Sequence, residues 1–195
     1  MAKINRKFFF DRCRPFFPNG KLSTRQVQGL TAILDEWEAN HNDDDDRWLA
    51  YMLATVHHET STTFQGIEEF GKGKGRPYGE NLKIDKKTRY TNTPNIFYGR
   101  GFVQLTWYEN YEAMGKILNQ DFISHPELVL ELGNSTRILF IGMLRGLFTG
   151  KKLSDYFNET KEDWKNARRI INGTDKAELI ATVAKNYYSC ISYMM

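Results

Sequence analysis

Residues 47–69 read RWLAYMLATVHHETSTTFQGIEE, and the fold turns on how this stretch is parsed. Its first thirteen residues are apolar at helical spacing, with Met52, Leu53 and Val56 on one stripe. At 100° per residue, Glu59 falls within about 20° of Met52, so a carboxylate interrupts the apolar face of a predicted helix over 47–59. Thr60, Ser61, Thr62 and Thr63 follow, four hydroxyl residues that compete for backbone hydrogen bonds and favour helix ends and turns. A helix that stops there lets the chain double back and present Glu68 across a gap from Glu59. On one unbroken helix the two would point opposite ways, because nine residues turn through about 900°.

Two roles are open for Glu59. A carboxyl on an apolar stripe either lines a cleft, where desolvation favours the protonated form a general acid needs, or pairs in the core with Arg or Lys. Two carboxyls facing each other over a groove can hydrolyse a glycosidic bond, one protonating the leaving oxygen and the other activating water. Glu69 competes with Glu68 for the second role, and spacing favours Glu68.

Outward from this stretch the pattern is helical. Ser23-Thr24-Arg25-Gln26 reads as a capping box before Val27, Leu30, Ile33, Leu34 and Trp37. The run NHNDDDD suits the start of the next helix, where the macrodipole favours negative charge, and lacks the alternating layout of a calcium loop. Five glycines punctuate residues 66–79, and NLKIDKKTRYTNTPN after them reads as a hairpin or a plain loop. Further helices are predicted over 107–118, from Ser124-His125-Pro126-Glu127 onward, over 134–148, over 161–171 with a stop at Asn172-Gly173, and over 174–195. The 134–148 segment is apolar nearly all round, which marks a central buried helix. Thr106-Trp107-Tyr108-Glu109 is a second capping box, so the Thr106 hydroxyl has a purely structural explanation as well as a functional one.

With no repeat, low-complexity tract or linker, residues 1–195 are expected to form one mainly α domain. Forty-one per cent hydrophobic residues argue against disorder. A net charge of +3 is too small to imply nucleic acid, though it suits an anionic surface such as cell-wall polymer. Cys13 and Cys190 read as free thiols of a reducing compartment, with a bridge between them as the alternative. The basic start, with only three consecutive apolar residues, does not make a secretory h-region, so no signal peptide is expected. No metal or organic cofactor is implied.

The ordered set HET at 58–60, a glutamate nine residues after Glu59, YGRGFVQLT at 98–106, NY at 110–111 and IING at 170–173 resembles family 19 glycoside hydrolases. These are the chitinases and the related phage and bacterial endolysins. The resemblance implies a mainly helical, lysozyme-like fold with a substrate cleft between two lobes and at most a small hairpin. It also implies an inverting mechanism. By resemblance, Glu59 is the general acid, Glu68 the general base, and Thr106 the residue that holds the attacking water. Gln104, Asn110 and Asn172 match positions that contact substrate or brace the cleft. Tyr98 stands where the family carries an aromatic near the sugar, and His58 is a structural partner of the acid. Arg76 and Tyr78, in a run similar to phage-associated members, are candidates for the cleft rim; Lys72 and Lys74 read as a solvated basic edge. Ser61-Thr62-Thr63 replaces the two glycines of many relatives. The nine-residue gap resembles the bacterial and phage branch. Glu109 stands where plant chitinases tend to place an aromatic.

The expected function is therefore an endolysin-type hydrolase of the β-1,4 bonds of peptidoglycan. It would be monomeric, would neither bind nucleic acid nor insert into a membrane, and would stay in the host cytoplasm until another factor admits it to the wall. A chitinase and a non-catalytic glycan-binding protein are the rival readings.

Overall fold

The computed structural model describes residues 3–194, which divide into two compact units. The first takes in the chain up to Phe64 and again from Leu139; the second runs from Gln65 to Ile138. The fold is mainly helical, as expected: α1 (Arg6–Cys13), α2 (Thr24–Asn40), α3 (Asp46–Glu59), α4 (Tyr108–Leu118), α5 (Leu132–Arg145) and α6 (Ala177–Tyr188). Two antiparallel pairs supply the strand content of the described residues, β1 (Ile67–Glu68) with β2 (Arg100–Gly101) and β3 (Phe157–Asn158) with β4 (Lys161–Glu162). The second pair is a local hairpin; the first joins residues more than thirty positions apart.

In the first unit α3 is the innermost element. Every residue from Leu49 to Val56 is buried, so the helix is enclosed on all sides. It packs along α6, whose buried Ala177, Ile180, Ala181, Ala184 and Tyr187 recur at helical spacing with small residues that permit close approach. The Asp45 carboxylate caps α3 by accepting from the Arg47 amide at 2.9 Å, and Asp46 occupies the first turn, the place the acidic run was given. The predicted box at the start of α2 is reciprocal: Gln26 N–H donates to the Ser23 hydroxyl at 3.2 Å, and Ser23 N–H to the Gln26 amide oxygen at 2.8 Å.

The hydroxyl run ends α3 as its composition predicts. Thr60 Oγ1 donates to Val56 O at 2.7 Å and accepts from Phe64 N–H at 3.0 Å, while Thr63 Oγ1 donates to Thr60 O at 2.8 Å. Ser61, Thr62 and Phe64 all take left-handed φ, and the Gln26 side chain holds the turn by donating to Thr62 O at 2.9 Å.

Several predicted helices are shorter. The one opening at Ser124 is a five-residue 3-10 turn, Pro126–Leu130. It ends because Asn134 Nδ2 and Ser135 Oγ take the carbonyls of Leu128 and Val129 that a continuing helix would need. Residues 161–171 form β4 and a 3-10 turn, Asn166–Ile170, because the Asp163 carboxylate accepts from Asn166 N–H and pulls the chain into a tighter start. The last helix begins only at Ala177, after Lys176 adopts φ 57°, and stops at Tyr188. Beyond it Asn5 N–H donates to Ser192 O at 2.7 Å and Met194 N–H to Lys3 O at 2.8 Å, so backbone pairing replaces helix. Met195 lies outside the described residues. α5 stops at Arg145 because Gly146 turns to φ +70°. No helix among the described residues is long and apolar enough to cross a membrane.

Cys13 and Cys190 are free and buried, and burial pushes their thiols up to about 12 and about 11. His57 lies among Phe17, Phe64 and Tyr187, with Nδ1 2.9 Å from the Tyr187 hydroxyl, and burial pulls its pKa from 6.5 to about 4. The folded form keeps this imidazole neutral, whereas the unfolded chain takes up a proton once pH drops below about 6.5. Stability is therefore lost as pH falls from 6.5 to about 4, by roughly 3 kcal/mol in total. Urea titrations across that range should show the slope in the wild type. It should be largely absent in His57→Gln, which keeps a polar partner for Tyr187 but does not titrate.

Candidate active site

In the second unit, Glu68 and Arg100 face each other as register partners of β1 and β2. The GRG turn forms because Gly101 adopts φ +82°, with Val129 O 3.0 Å from where a β-carbon would lie, so a side chain there is excluded twice. The chain returns at Leu105, whose N–H donates to Arg100 O at 2.9 Å. Gln104, itself at φ 53°, ties this turn to β1 by donating through Nε2 to Ile67 O at 3.1 Å and to Gly101 O at 3.2 Å.

The adjacent carboxylates Glu68 and Glu69 have different surroundings. Glu68 Oε2 meets the Lys72 ammonium at 2.8 Å, Oε1 accepts from the Tyr98 hydroxyl, and Arg100 Nε lies 3.6 Å from Oε1. Lys72, then the Tyr98 hydroxyl, hold the Glu68 carboxyl below the usual carboxylate range against the opposing effect of burial. Among the described residues, the donors to Glu69 are neutral: the Tyr78 hydroxyl at 2.7 Å on Oε1 and Gly99 N–H at 3.1 Å on Oε2. Tyr78 in turn packs edge-on against Trp107, 5.3 Å between centroids, and burial followed by its bond to Glu69 pushes it up to about 12.

The other predicted residues of this unit join the same network. Thr106 Oγ1 donates to Gln104 O at 2.8 Å, and the Asn110 amide donates to Thr106 O at 2.8 Å. The capping box expected at 106–109 does not form, because Trp107 at φ 78° is the cap position of α4 and no side chain caps it. Tyr98 is buried, and its ring face, read from sequence as a sugar platform, carries the Arg100 guanidinium 3.6 Å from its centroid. Arg100 also donates to Ile96 O at 3.0 Å and Tyr111 Oη at 3.1 Å, while its Nε has no hydrogen-bond partner. Arg76 is exposed on the glycine loop.

Glu59 and Asn172 belong to the first unit. Glu59, in the last turn of α3, accepts at 2.6 Å from Arg168 Nη1; the two side chains are 17% and 4% exposed. Glu59 thus has an arginine partner while part of its side chain remains exposed. Arg168 Nε donates to Asp175 O at 3.1 Å, and Asn172 N–H to Arg168 O at 3.1 Å, which sets exposed Asn172 one turn from the ion pair. Of the two histidines before Glu59, His57 is the one fixed in the core. Sequence reasoning missed Arg168 and Arg100. Arg100 was legible as the charged residue inside GRG, whereas nothing in ARRI separates buried Arg168 from exposed Arg169. Among the described residues no group of three His, Cys, Asp or Glu side chains could hold a metal ion.

The sequence model of the glycoside hydrolase 19 family, chitinase class I, matches residues 37–141 of this chain. The chain belongs to this family. Among curated relatives, an endochitinase of Arabidopsis thaliana is 34% identical over 103 residues, covering 52% of this chain and 33% of its own. A basic endochitinase of Brassica napus is 38% identical over 84 residues, covering 43% and 29%. The chain thus spans about a third of the length of the curated relatives it matches. Among solved structures, chitinase C from Streptomyces griseus HUT6037 superposes with a TM-score of 0.57 at 22% identity, covering 92% of this chain and 72% of that one. A family 19 class IV chitinase from Zea mays gives a TM-score of 0.57 at 15% identity, covering 92% and 90%. At these identities the likeness is one of fold: the family 19 helical architecture.

Removing one partner of the part-buried pair isolates the other. Arg168→Met should cost about 3–5 kcal/mol, because it strands the Glu59 charge. Glu59→Gln should cost less than half of that, since its amide oxygen still accepts from Arg168. Chemical denaturation of the two variants gives the comparison.

Proposed function

We propose that this family 19 chain hydrolyses the β-1,4-linked glycan strand of bacterial peptidoglycan by an inverting, single-displacement route. Glu59 is the general acid. Its Oε1 stays on Arg168 while Oε2 carries the proton to the leaving oxygen, and the guanidinium stabilises the carboxylate that results. The water-activating base is Glu69 rather than the Glu68 favoured by spacing. The observation that carries this assignment is the partnering of the two neighbours. Glu68 is paired with the Lys72 and Arg100 cations, whereas Glu69 is positioned by a phenol and a backbone amide and, among the described residues, has no cation within 4 Å. Through the Gly99 amide Glu69 is bonded to the loop that carries Gln104 and Thr106. Thr106 is suited to hold the attacking water, and Asn110 fixes its backbone.

The second reading is chitin hydrolysis, favoured by the matched relatives, which are named endochitinases. Parallel digestion of purified sacculi and colloidal chitin separates the two, and sacculi left intact while chitin dissolves would overturn the first. For the mechanism, Glu59→Gln and Glu69→Gln should each lower turnover at least about 100-fold, and Glu68→Gln less than about tenfold. A loss confined to Glu68→Gln would return the base role to Glu68. Inversion predicts that the first product detected by proton NMR is the α-anomer.

A further inference from the structure

Net charge is distributed very unevenly along this chain. Residues 70–89 hold seven lysines and arginines against two carboxylates, a net +5, which leaves −2 for the other 175 residues of a chain whose total is +3. The segment forms two consecutive loops of the second unit. In the first, successive turns are closed by Lys72 N–H to Glu69 O, Lys74 N–H to Gly71 O and Arg76 N–H to Gly73 O, at 2.9–3.0 Å. Its neck is the contact of Gly73 with Gly79, where a β-carbon on Gly79 would come within 1.9 Å of Gly73 O. The second loop follows at once, closed by the Leu82–Arg89 bridge and by Lys83 N–H to Thr88 O at 2.8 Å.

Little of this charge is balanced locally. Lys72 is spent on Glu68, and the Asp85 carboxylate is taken up by Thr88 and by the amides of Lys87 and Thr88. Among the described residues, Lys74, Arg76, Lys86 and Lys87 have no carboxylate within 4 Å, and all four are exposed. Phe70, next to Glu69, is fully exposed at 104%. The first loop is continuous with the candidate site: it begins at Glu69, and its Tyr78 hydroxyl returns to the Glu69 carboxylate.

We infer that residues 70–89 recognise the stem peptides of peptidoglycan, the cations engaging their free carboxylates and Phe70 their alanyl and lactyl methyl groups. This deepens the proposed function and rests on it. Chitin is neutral and would leave these charges unused, whereas a peptidoglycan strand carries a net-negative peptide on every second sugar. The cations are carried on two consecutive loops that start at the site, and the field of such exposed charges weakens with salt.

The test uses Lys74→Gln/Lys86→Gln/Lys87→Gln, a triple surface variant that spares the catalytic groups. Cleavage is measured on intact sacculi, on sacculi stripped of stem peptides by an amidase, and on sacculi freed of phosphate polymers by hydrofluoric acid. The variant should lose about tenfold on intact and on acid-treated sacculi at low salt, with the difference fading above physiological ionic strength, and match the wild type on stripped strands. An equal loss on stripped strands, no loss on intact ones, or a loss that vanishes after acid treatment would overturn the inference; the last would assign the surface to phosphate polymer. Binding of Glu59→Gln to intact and stripped sacculi is read without turnover. Salt-sensitive binding to intact sacculi alone, in a wild type that cannot cut them, would sink the hydrolase reading and sustain the docking surface. Absence of that binding in an active enzyme would do the reverse.

Discussion

The first unit depends on one part-buried ion pair, Glu59 with Arg168. A carboxylate in the last turn of a helix sits against the negative end of the macrodipole, and here the helix is the most enclosed one in the unit. Such a charge is tolerable only with a partner held equally still. Arg168 meets that requirement because its own Nε is bonded to Asp175 O and its carbonyl receives the Asn172 amide. The pair therefore fixes the end of α3, the 3-10 turn before Asn172 and the approach to α6 in one contact. A carboxylate so anchored has little freedom to reorient, which suits it to the role proposed for it.

Arg100 organises the second unit, with a different chemical consequence. Its guanidinium lies on Tyr98, bonds Tyr111 and Ile96, and turns its remaining Nε toward Glu68. Glu68 ends β1 and Glu69 follows it directly, and the two neighbours meet different environments. One side is cationic and favours the ionised form of the carboxylate. The other is built from Tyr78 and a backbone amide, which orient a carboxylate without neutralising it.

Backbone strain concentrates beside these groups. Ser61, Thr62 and Phe64 follow Glu59 in left-handed conformations, and Gln104 and Trp107 flank Thr106 in the same region of φ. Each is over-determined by neighbours: Thr60 and Gln26 hold the first turn, while Gln104's two bonds and the Trp107 N–H to Phe97 O bond at 2.9 Å hold the second. Strain held in this way is a mark of positions where geometry matters more than local preference.

The sequence by itself determined the helical class, α2 and α3 with their caps and the hydroxyl-run stop, because these rest on periodicity and on side chains that act on their own backbone. Helices ended by a distant partner were not legible. Asn134 and Ser135 capture the carbonyls that cut short the helix after Pro126, and the pairing of Ser192 and Met194 with the start of the chain replaces the end of the last one. The difference between the surroundings of Glu68 and Glu69 was equally beyond the sequence. Spacing counts residues along the chain, but a carboxylate's chemistry is set by what faces it, and only the tertiary structure brings Lys72 and Arg100 to one and Tyr78 to the other. Arg168 makes the same point: it stands 109 residues from Glu59 in the chain and 2.6 Å from it in the fold.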